Sequence, residues 1–249
     1  MHGSAIRGEA LRLVAAGVND CEIGRRLGIS RSTVRDWRRP TYVSRRPPGE
    51  VLTCPRCWRS STPIVFTADD YAELLGLYLG DGYINCLARC QRLRLFLDAR
   101  HARVVDEAEA LLSRSFPANP VRRIYFHEGA EVVLDLYNQH LACLFPQHGA
   151  GKKHTRAIAL EDWQQSLVDE APWAFLRGCI RSDGCAFVNR TGPYEHLSYA
   201  FSNLSVEILD LFETTCRALG MRPRRYTTAI RLNRRADAAR MLEHVGLKS

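Results

Sequence analysis

The sequence predicts an α+β protein in which a small all-α domain precedes two tandem αββαββα repeats related by a pseudo-twofold axis. Three observations lead to this prediction: an apolar pattern of helical period in the first 40 residues, two similar nine-residue segments farther along, and the same order of helical and strand-like segments after each of them. Hydrophobic residues make up 46% of the 249 positions, enough for a substantial core.

An excess of basic side chains favours a polyanionic partner. The chain has 35 Lys and Arg against 27 Asp and Glu, a net charge of +8, and basic surface gains free energy when it displaces counterions from nucleic acid. No apolar run approaches the roughly 20 residues that span a membrane, and the N-terminus is too polar for a signal peptide. We therefore expect a cytoplasmic, nucleoid-associated protein whose nine cysteines are reduced thiols or metal ligands.

Residues 1–40 have the pattern of three short helices, interrupted at GVND and at GIS. Gly28 can adopt the left-handed conformation that ends the second helix, Ile29 can fill the corner, and Ser30 can cap the third helix. This pattern resembles the helix-turn-helix of bacterial DNA-binding proteins, in which the helix after the turn enters the major groove. The alternative is a three-helix protein-interaction module. The resemblance implies DNA contacts from Arg31, Ser32, Thr33 and Arg35.

Residues 41–67 are rich in proline and arginine, a composition that predicts a linker. Cys54 and Cys57 within it have the spacing at which two thiolates can bind one zinc ion. A second cysteine pair is missing from the neighbouring sequence, so a reduced CxxC in a surface turn is the alternative to a zinc site.

Two segments of similar sequence, LLGLYLGDG at 74–82 and LRGCIRSDG at 176–184, each have the pattern of a buried helix that ends in an aspartate. The aspartates, Asp81 and Asp183, lie 102 positions apart. Each segment is followed by two β-rich stretches, a helix, two further β-rich stretches and a final helix. A tandem duplication explains both the spacing and the shared order of elements.

The ends of the two repeats can also be aligned. The tail LFPQHGAGK matches MLEHVGLK, which places Lys152 opposite Lys248, while the choice between Lys152 and Lys153 as the inward lysine stays open. We therefore predict a first repeat over residues 68–165 and a second over residues 166–249. Because the duplication supplies the twofold axis that a dimer would otherwise provide, we expect a monomer.

The two nine-residue segments resemble the LAGLIDADG motif of homing endonucleases, which they match at the leucine, the first glycine and the final Asp-Gly. The repeat order resembles that of single-chain members with two motifs, and the helix-turn-helix, CPRC and GLYLGDG together look like actinobacterial LAGLIDADG-domain proteins. The resemblance implies a saddle on double-stranded DNA whose strands present an arginine-rich face. The candidates for that face are Arg89, Arg92, Arg94, Arg122, Arg123, Arg224, Arg225 and Arg231.

Small residues recur at intervals of four along both predicted motif helices. Gly76 and Gly80 share one face of the first helix, and Gly178 and Ser182 share one face of the second. Such stripes let two helix backbones approach closely. We therefore expect the helices to cross and to bring their C-terminal ends, with the two aspartates, together.

Two carboxylates at two helix C-termini repel each other unless a cation lies between them. A hard cation bound by oxygen ligands fits this demand, which favours Mg²⁺. In the family a metal-activated water cuts each DNA strand, and basic residues near the scissile phosphates resemble Lys152 and Lys248. The expected ligands of Mg²⁺ are Asp81, Asp183 and the backbone carbonyls of Gly80 and Ser182.

The sequence departs from the motif at Leu79 and Arg181, where its first aspartate would fall, and Arg181 could pair with Asp183 and compete with metal. An Asp-Gly after a helix is also an ordinary helix stop, with the glycine in a left-handed conformation. Two hypotheses follow: a Mg²⁺-dependent, site-specific double-stranded DNA endonuclease, or a non-catalytic, sequence-specific transcriptional regulator with a degenerate LAGLIDADG domain. The presence of both aspartates favours the enzyme.

Overall fold

The protein forms two compact units, residues 1–49 and 50–249, in the computed structural model. The predicted zinc ligands Cys54 and Cys57, and also Arg89, lie outside the described residues. Within the described part of the chain, no helix is long and apolar enough to cross a membrane. The structure describes residues 4–38, 52–53, 60–61, 63–87, 90–191 and 194–248.

The N-terminal unit confirms the predicted helix-turn-helix. Gly28 ends the second helix with φ of 64°, in the left-handed conformation. Ser30 Oγ accepts a hydrogen bond from the Thr33 amide at 3.1 Å, which caps the third helix. Ile29 is buried at the corner, within a small core that this unit has of its own. The helices are α1 (Ser4–Ala15), α2 (Asp20–Leu27) and α3 (Arg31–Arg38).

The second unit contains the predicted αββαββα order twice. It begins with an antiparallel pair, β1 (Leu52–Thr53) and β2 (Ser60–Ser61). The first repeat consists of α4 (Ala68–Asp81), β3 (Gly82–Cys86), β4 (Gln91–Asp98), α5 (Ala102–Ser115), β5 (Arg122–Phe126), β6 (Glu131–Asn138) and α6 (Leu141–Leu144). An additional helix that the sequence did not predict, α7 (Asp162–Glu170), follows. The second repeat consists of α8 (Pro172–Asp183), β7 (Gly184–Thr191), β8 (Tyr194–Ser202), α9 (Val206–Ala218), β9 (Arg224–Arg225), β10 (Ala229–Leu232) and α10 (Arg235–His244).

Each repeat has one four-stranded antiparallel sheet, and the strand order is the same in both: β3-β4-β6-β5 and β7-β8-β10-β9. Successive side chains of each strand point to opposite faces of the sheet. Leu93, Leu95 and Leu97 of β4 are buried in the core against the helices, while Arg92 and Arg94 alternate with them. The face that points away from the helices is therefore the polar face of the predicted saddle.

The helices α4 and α8 cross at the centre of the second unit with their backbones in contact. A Cβ atom added at Gly76 would lie 2.5 Å from the Phe175 carbonyl oxygen, and one added at Gly178 would overlap the Glu73 carbonyl oxygen. The stripe of small residues thus permits the close crossing that the sequence predicted. The crossing places the C-terminal ends of both helices side by side.

Candidate functional site

Both motif helices end at their aspartate, and the chain turns directly into a strand. A Cβ at Gly82 would lie 2.6 Å from Tyr78 Cα, and one at Gly184 would lie 2.6 Å from Ile180 Cα. The φ angles of the two glycines are −89° and −106°. The left-handed helix stop is therefore the wrong explanation of the Asp-Gly pairs, since here glycine is needed for space and not for a positive φ.

Two clefts flank the helix ends, and each combines residues of both repeats. The first, about 610 Å³ in volume, contains Asp183 together with Gly80; we call it the Asp183 cleft. The second, about 740 Å³, contains Asp81 together with Ser182; we call it the Asp81 cleft. The Asp183 cleft thus combines Asp183 of α8 with Gly80 of α4, and the Asp81 cleft combines Asp81 of α4 with Ser182 of α8. Gly80 and Ser182 each directly precede the aspartate of their own helix.

In each cleft one lysine donates a hydrogen bond to a backbone carbonyl at a helix end. Lys153 Nζ donates a hydrogen bond to the Gly80 carbonyl oxygen at 2.9 Å, and Lys248 Nζ donates to the Ser182 carbonyl oxygen. Lys152 is exposed at the rim of the Asp183 cleft. Lys153, and not Lys152 as the alignment placed it, therefore has the position equivalent to that of Lys248, which decides between the two lysines that the sequence left open. A short 3₁₀ turn over Lys153–Thr155 begins at the inward lysine.

The two aspartates repel each other electrostatically. Burial, the charge of Asp183 and, more weakly, that of Glu131 raise the pKa of Asp81 to about 7, although Lys248 and Lys153 oppose this rise. Burial also raises the pKa of Asp183. Asn203, a residue that sequence reasoning missed, opposes that rise because its Nδ2 donates to Asp183 Oδ2 at 2.8 Å.

The donor atoms of the two clefts fit a hard divalent cation. Burial and the charge of Asp183 raise the pKa of Asp81, burial raises that of Asp183, and a bound cation would stabilise both carboxylates. The lysine ammonium groups show that a cation can reach both carbonyl oxygens. In the described residues no cluster of three or more His, Cys, Asp and Glu could hold a metal ion. A Mg²⁺ site here would consist of Asp81, Asp183, the carbonyls of Gly80 and Ser182, and oxygens from water or phosphate.

Adjacent arginines on the outer strands point to opposite faces. Arg122 and Arg224 belong to the saddle face and are exposed. Arg123 instead pairs with Asp106 of α5 at 2.7 Å and with Glu109. Arg225 pairs with Asp210 at 2.6 Å and Glu213 at 3.0 Å on α9. The prediction that Arg123 and Arg225 face DNA is therefore wrong, because strand alternation turns both toward helices.

Three further arginines hold defined positions on the saddle face. Arg92 Nη2 lies 2.9 Å from an Oδ atom of the buried Asp135. The Arg94 guanidinium lies 4.8 Å from the Phe96 ring centroid. The Arg231 guanidinium lies 5.0 Å from the Tyr226 centroid. Cation–π contacts and the carboxylate order these side chains, which reduces the entropy they lose when they bind a ligand.

Arg181 does not compete for the aspartates as the sequence suggested. It pairs with Glu73 of α4 and Glu107 of α5, away from Asp183. Arg177, one turn earlier on α8, donates to the same Glu73 at 3.0 Å. These ion pairs hold α8 against α4 and α5 and leave the carboxylates of the two clefts available.

The third helix of the N-terminal unit exposes the side chains of Arg31, Ser32 and Arg35. Thr33 is half-buried, and its hydroxyl lies 2.7 Å from Ser30 Oγ at the start of the helix. The three exposed residues can contact a ligand directly, whereas the Thr33 hydroxyl takes part in the cap.

Residues 2–40 match the family of homeodomain-like domains. A sequence comparison with functionally characterised proteins gave no match.

Similar solved structures are LAGLIDADG domains. The N-terminal LAGLIDADG domain of DUF199/WhiA is 16% identical, with a TM-score of 0.47 over 76% of this chain and 86% of that one. Full-length DUF199/WhiA from Thermatoga maritima is 16% identical, with a TM-score of 0.49 over 75% of this chain and 58% of that one. I-DmoI in complex with DNA and Mn is 12% identical, with a TM-score of 0.49 over 72% of this chain and 97% of that one.

Proposed function

We propose that the protein is a site-specific double-stranded DNA endonuclease of the LAGLIDADG homing type that hydrolyses phosphodiester bonds with Mg²⁺. The observation that carries this proposal is the duplication of one chemical set, an aspartate, a backbone carbonyl and a lysine, in two clefts. Two strands of a duplex require two such sets. A domain that only binds DNA has no chemical need for either of them.

The residues of each cleft have separable roles. Asp81 and Asp183, with the carbonyls of Gly80 and Ser182, would hold the cation. When bound, Mg²⁺ supplies Lewis acidity toward a water molecule and toward the leaving oxygen of a phosphodiester. Asn203 keeps Asp183 in one orientation through its hydrogen bond.

The lysines supply positive charge beside the carboxylates. Lys153 is half-buried over the Tyr78 ring, 5.1 Å from its centroid, and burial lowers its pKa to about 8. Because this pKa lies above 7, the Lys153 amine is predominantly protonated at neutral pH. Lys153 and Lys248 therefore place one positive charge in each cleft without any conformational rearrangement of the helices.

Double-stranded DNA is the partner that the saddle face and the net charge of +8 fit. Arg94, Arg122, Arg224 and Arg231 lie on that face and can neutralise phosphates or contact base edges. We propose that Arg31, Ser32 and Arg35 of the helix-turn-helix bind the major groove, and that the duplicated unit acts as a monomer.

The experiment that tests the proposal is a selection from a randomised duplex library in Ca²⁺, followed by transfer of the bound duplexes to Mg²⁺ and sequencing of new ends. We expect paired ends at one position in each enriched sequence, and none with Asp81→Asn. Enriched sequences that remain whole with the wild-type protein would refute the endonuclease.

A transcriptional regulator is the second candidate, and one observation favours it. Both carbonyls of the predicted metal site accept hydrogen bonds from lysine ammonium groups, so the protein's own side chains supply cations to the clefts. A binding protein would use the helix-turn-helix and the saddle without metal. In the same selection a regulator would give enriched, uncut duplexes that the Asp81→Asn variant binds as tightly as the wild type does.

A further inference from the structure

We propose that the two clefts bind their phosphodiester groups by different means: the Asp183 cleft with the protein's own cations, and the Asp81 cleft only together with a divalent cation. This inference rests on the proposed function, because it assigns one cleft to each DNA strand. It goes further in predicting that metal-free protein already contacts one scissile phosphate and does not contact the other.

The Asp183 cleft is predominantly cationic. Among the described residues that line it, Lys152 at the rim, Lys153 and Arg156 are cationic, Asp183 is the one carboxylate, and His154 lies beside them. Arg156 donates to the carbonyl oxygens of Gln147 and Gly151, both at 3.0 Å, and so fixes the loop that carries the lysines. The loop therefore presents several positive charges in an ordered arrangement, as phosphate binding requires.

The Asp81 cleft has the opposite balance. Its described lining residues include two cations, Lys248 and Arg100, and three carboxylates, those of Asp81, Asp98 and Glu131, with His127 beside them. Arg100 is bound to Asp98, with Nη2 2.7 Å from Oδ2. With Arg100 bound to Asp98, Lys248 is the cation among these lining residues that remains to offset the carboxylates of Asp81 and Glu131.

The position of Glu131 follows from the sheet. It is the first residue of β6 and lies directly opposite Asp98 of β4 in the antiparallel register. Like charges at directly opposed positions destabilise a sheet, and Arg100 relieves this by binding Asp98. In the second repeat the corresponding edge of the cleft carries the neutral residues Ser202, Asn203 and Thr228. The two repeats thus share a backbone plan and differ in charge.

Charge decides what each cleft can bind first. A phosphodiester is an anion, so it gains from a cleft in which cations outnumber carboxylates and is repelled where carboxylates outnumber cations. A divalent cation has the opposite preference and binds more readily among several carboxylates. A divalent cation bound in the Asp81 cleft would reverse the balance of charge there, so that a phosphate could enter.

Phosphate ethylation interference on the selected duplex tests the inference through binding and not through cleavage. The assay compares EDTA with Ca²⁺. In EDTA, ethylation of one scissile phosphate should reduce binding about tenfold, the loss expected for a contact to a charged group, while ethylation of the other should have no effect. In Ca²⁺ both positions should interfere. The Lys153→Met variant identifies the Asp183 cleft, since it should lose the interference seen in EDTA.

Glu131→Gln tests the cause. This variant should make the second scissile phosphate interfere in EDTA, while Glu128→Gln, which removes an exposed carboxylate from the same hairpin, should leave the wild-type pattern. Three results would overturn the inference. The first is equal interference at both positions in EDTA, the second is the same interference pattern in EDTA and in Ca²⁺, and the third is no binding of any duplex. Because the readout is binding, an absence of cleavage in Mg²⁺ refutes the proposed endonuclease alone.

Discussion

Replacing Gly76 by alanine should force apart the two helices that carry Asp81 and Asp183. The added Cβ would lie 2.5 Å from the Phe175 carbonyl oxygen, 2.8 Å from the Cys179 amide nitrogen and 3.0 Å from the Gly178 carbonyl carbon. All three are backbone atoms of α8, so no side-chain rotation relieves the overlap. An ordinary contact of about 3.4 Å requires a separation of about 0.9 Å between the helices at this point.

The cost of this separation can be approximated from two opposing effects. Overpacking of a core costs about 1–3 kcal/mol, and the upper end applies where backbones collide. Alanine regains about 1 kcal/mol in a helix relative to glycine. The net loss is therefore about 2 kcal/mol, or a fall of about 4–8 °C in Tm for a unit of this size. A shift of about 1 Å between catalytic groups lowers a rate by about 10²-fold.

The assay combines thermal unfolding, followed by circular dichroism, with cleavage of the selected duplex in Mg²⁺. Gly8→Ala is the control, because Gly8 lies in helix α1 and a Cβ there meets no atom within 4 Å. The control should keep or raise Tm and leave cleavage unchanged. A Gly76→Ala protein that unfolds at the wild-type temperature and cleaves at the wild-type rate would refute the close crossing of α4 and α8.

Three further predictions concern charge. Arg224→Gln should weaken DNA binding and reduce the steepness of log K against log salt by about 0.9, the value for the loss of one phosphate contact. Arg225→Gln should change neither the affinity nor this slope in anisotropy titrations. Equal losses in the two variants would contradict the assignment of Arg224 to the saddle face and of Arg225 to the helix-facing side. Without divalent metal, the free energy of unfolding in urea should fall as pH rises from about 4 to about 7, because folded Asp81 and Asp183 hold their protons more tightly than the unfolded chain. The share of Asp81 is at most about 1.4 kcal/mol per pH unit. Asp81→Asn should lose that share and keep the share of Asp183, and an unchanged slope in the variant would exclude a contribution from Asp81. Lys153→Met should slow cleavage of one strand about 10²-fold, whereas Lys152→Met should slow it far less in strand-resolved assays, and a larger effect at Lys152 would restore the original alignment.

The elements of the fold were predictable where periodicity and local caps agree. The positive φ of Gly28 and the cap at Ser30 follow from residues within four positions of each other. The repeat order follows from two similar motifs and the segments after them. The helix α7 was missed because it lies between the repeats, outside the pattern that revealed them.

Parts of the site depend on long-range geometry and could not be read from local patterns. The hydrogen bond of Asn203 to Asp183 joins residues 20 positions apart. The 3₁₀ turn that makes Lys153 the inward lysine has no periodic signal. The outward and inward arginine pairs were predictable in part, since strand alternation alone implies that Arg122 and Arg123 point to opposite faces.

Strand-resolved cleavage of the selected duplex by the wild-type protein, Asp81→Asn and Asp183→Asn, each at equal DNA occupancy in Mg²⁺, tests the proposed endonuclease most directly. We expect the wild-type protein to cut both strands and neither variant to produce a double-strand break, while all three bind the duplex in Ca²⁺. Intact duplex with the wild-type protein, or a double-strand break from either variant, would contradict the assignment of the paired aspartates as the centre of a nuclease.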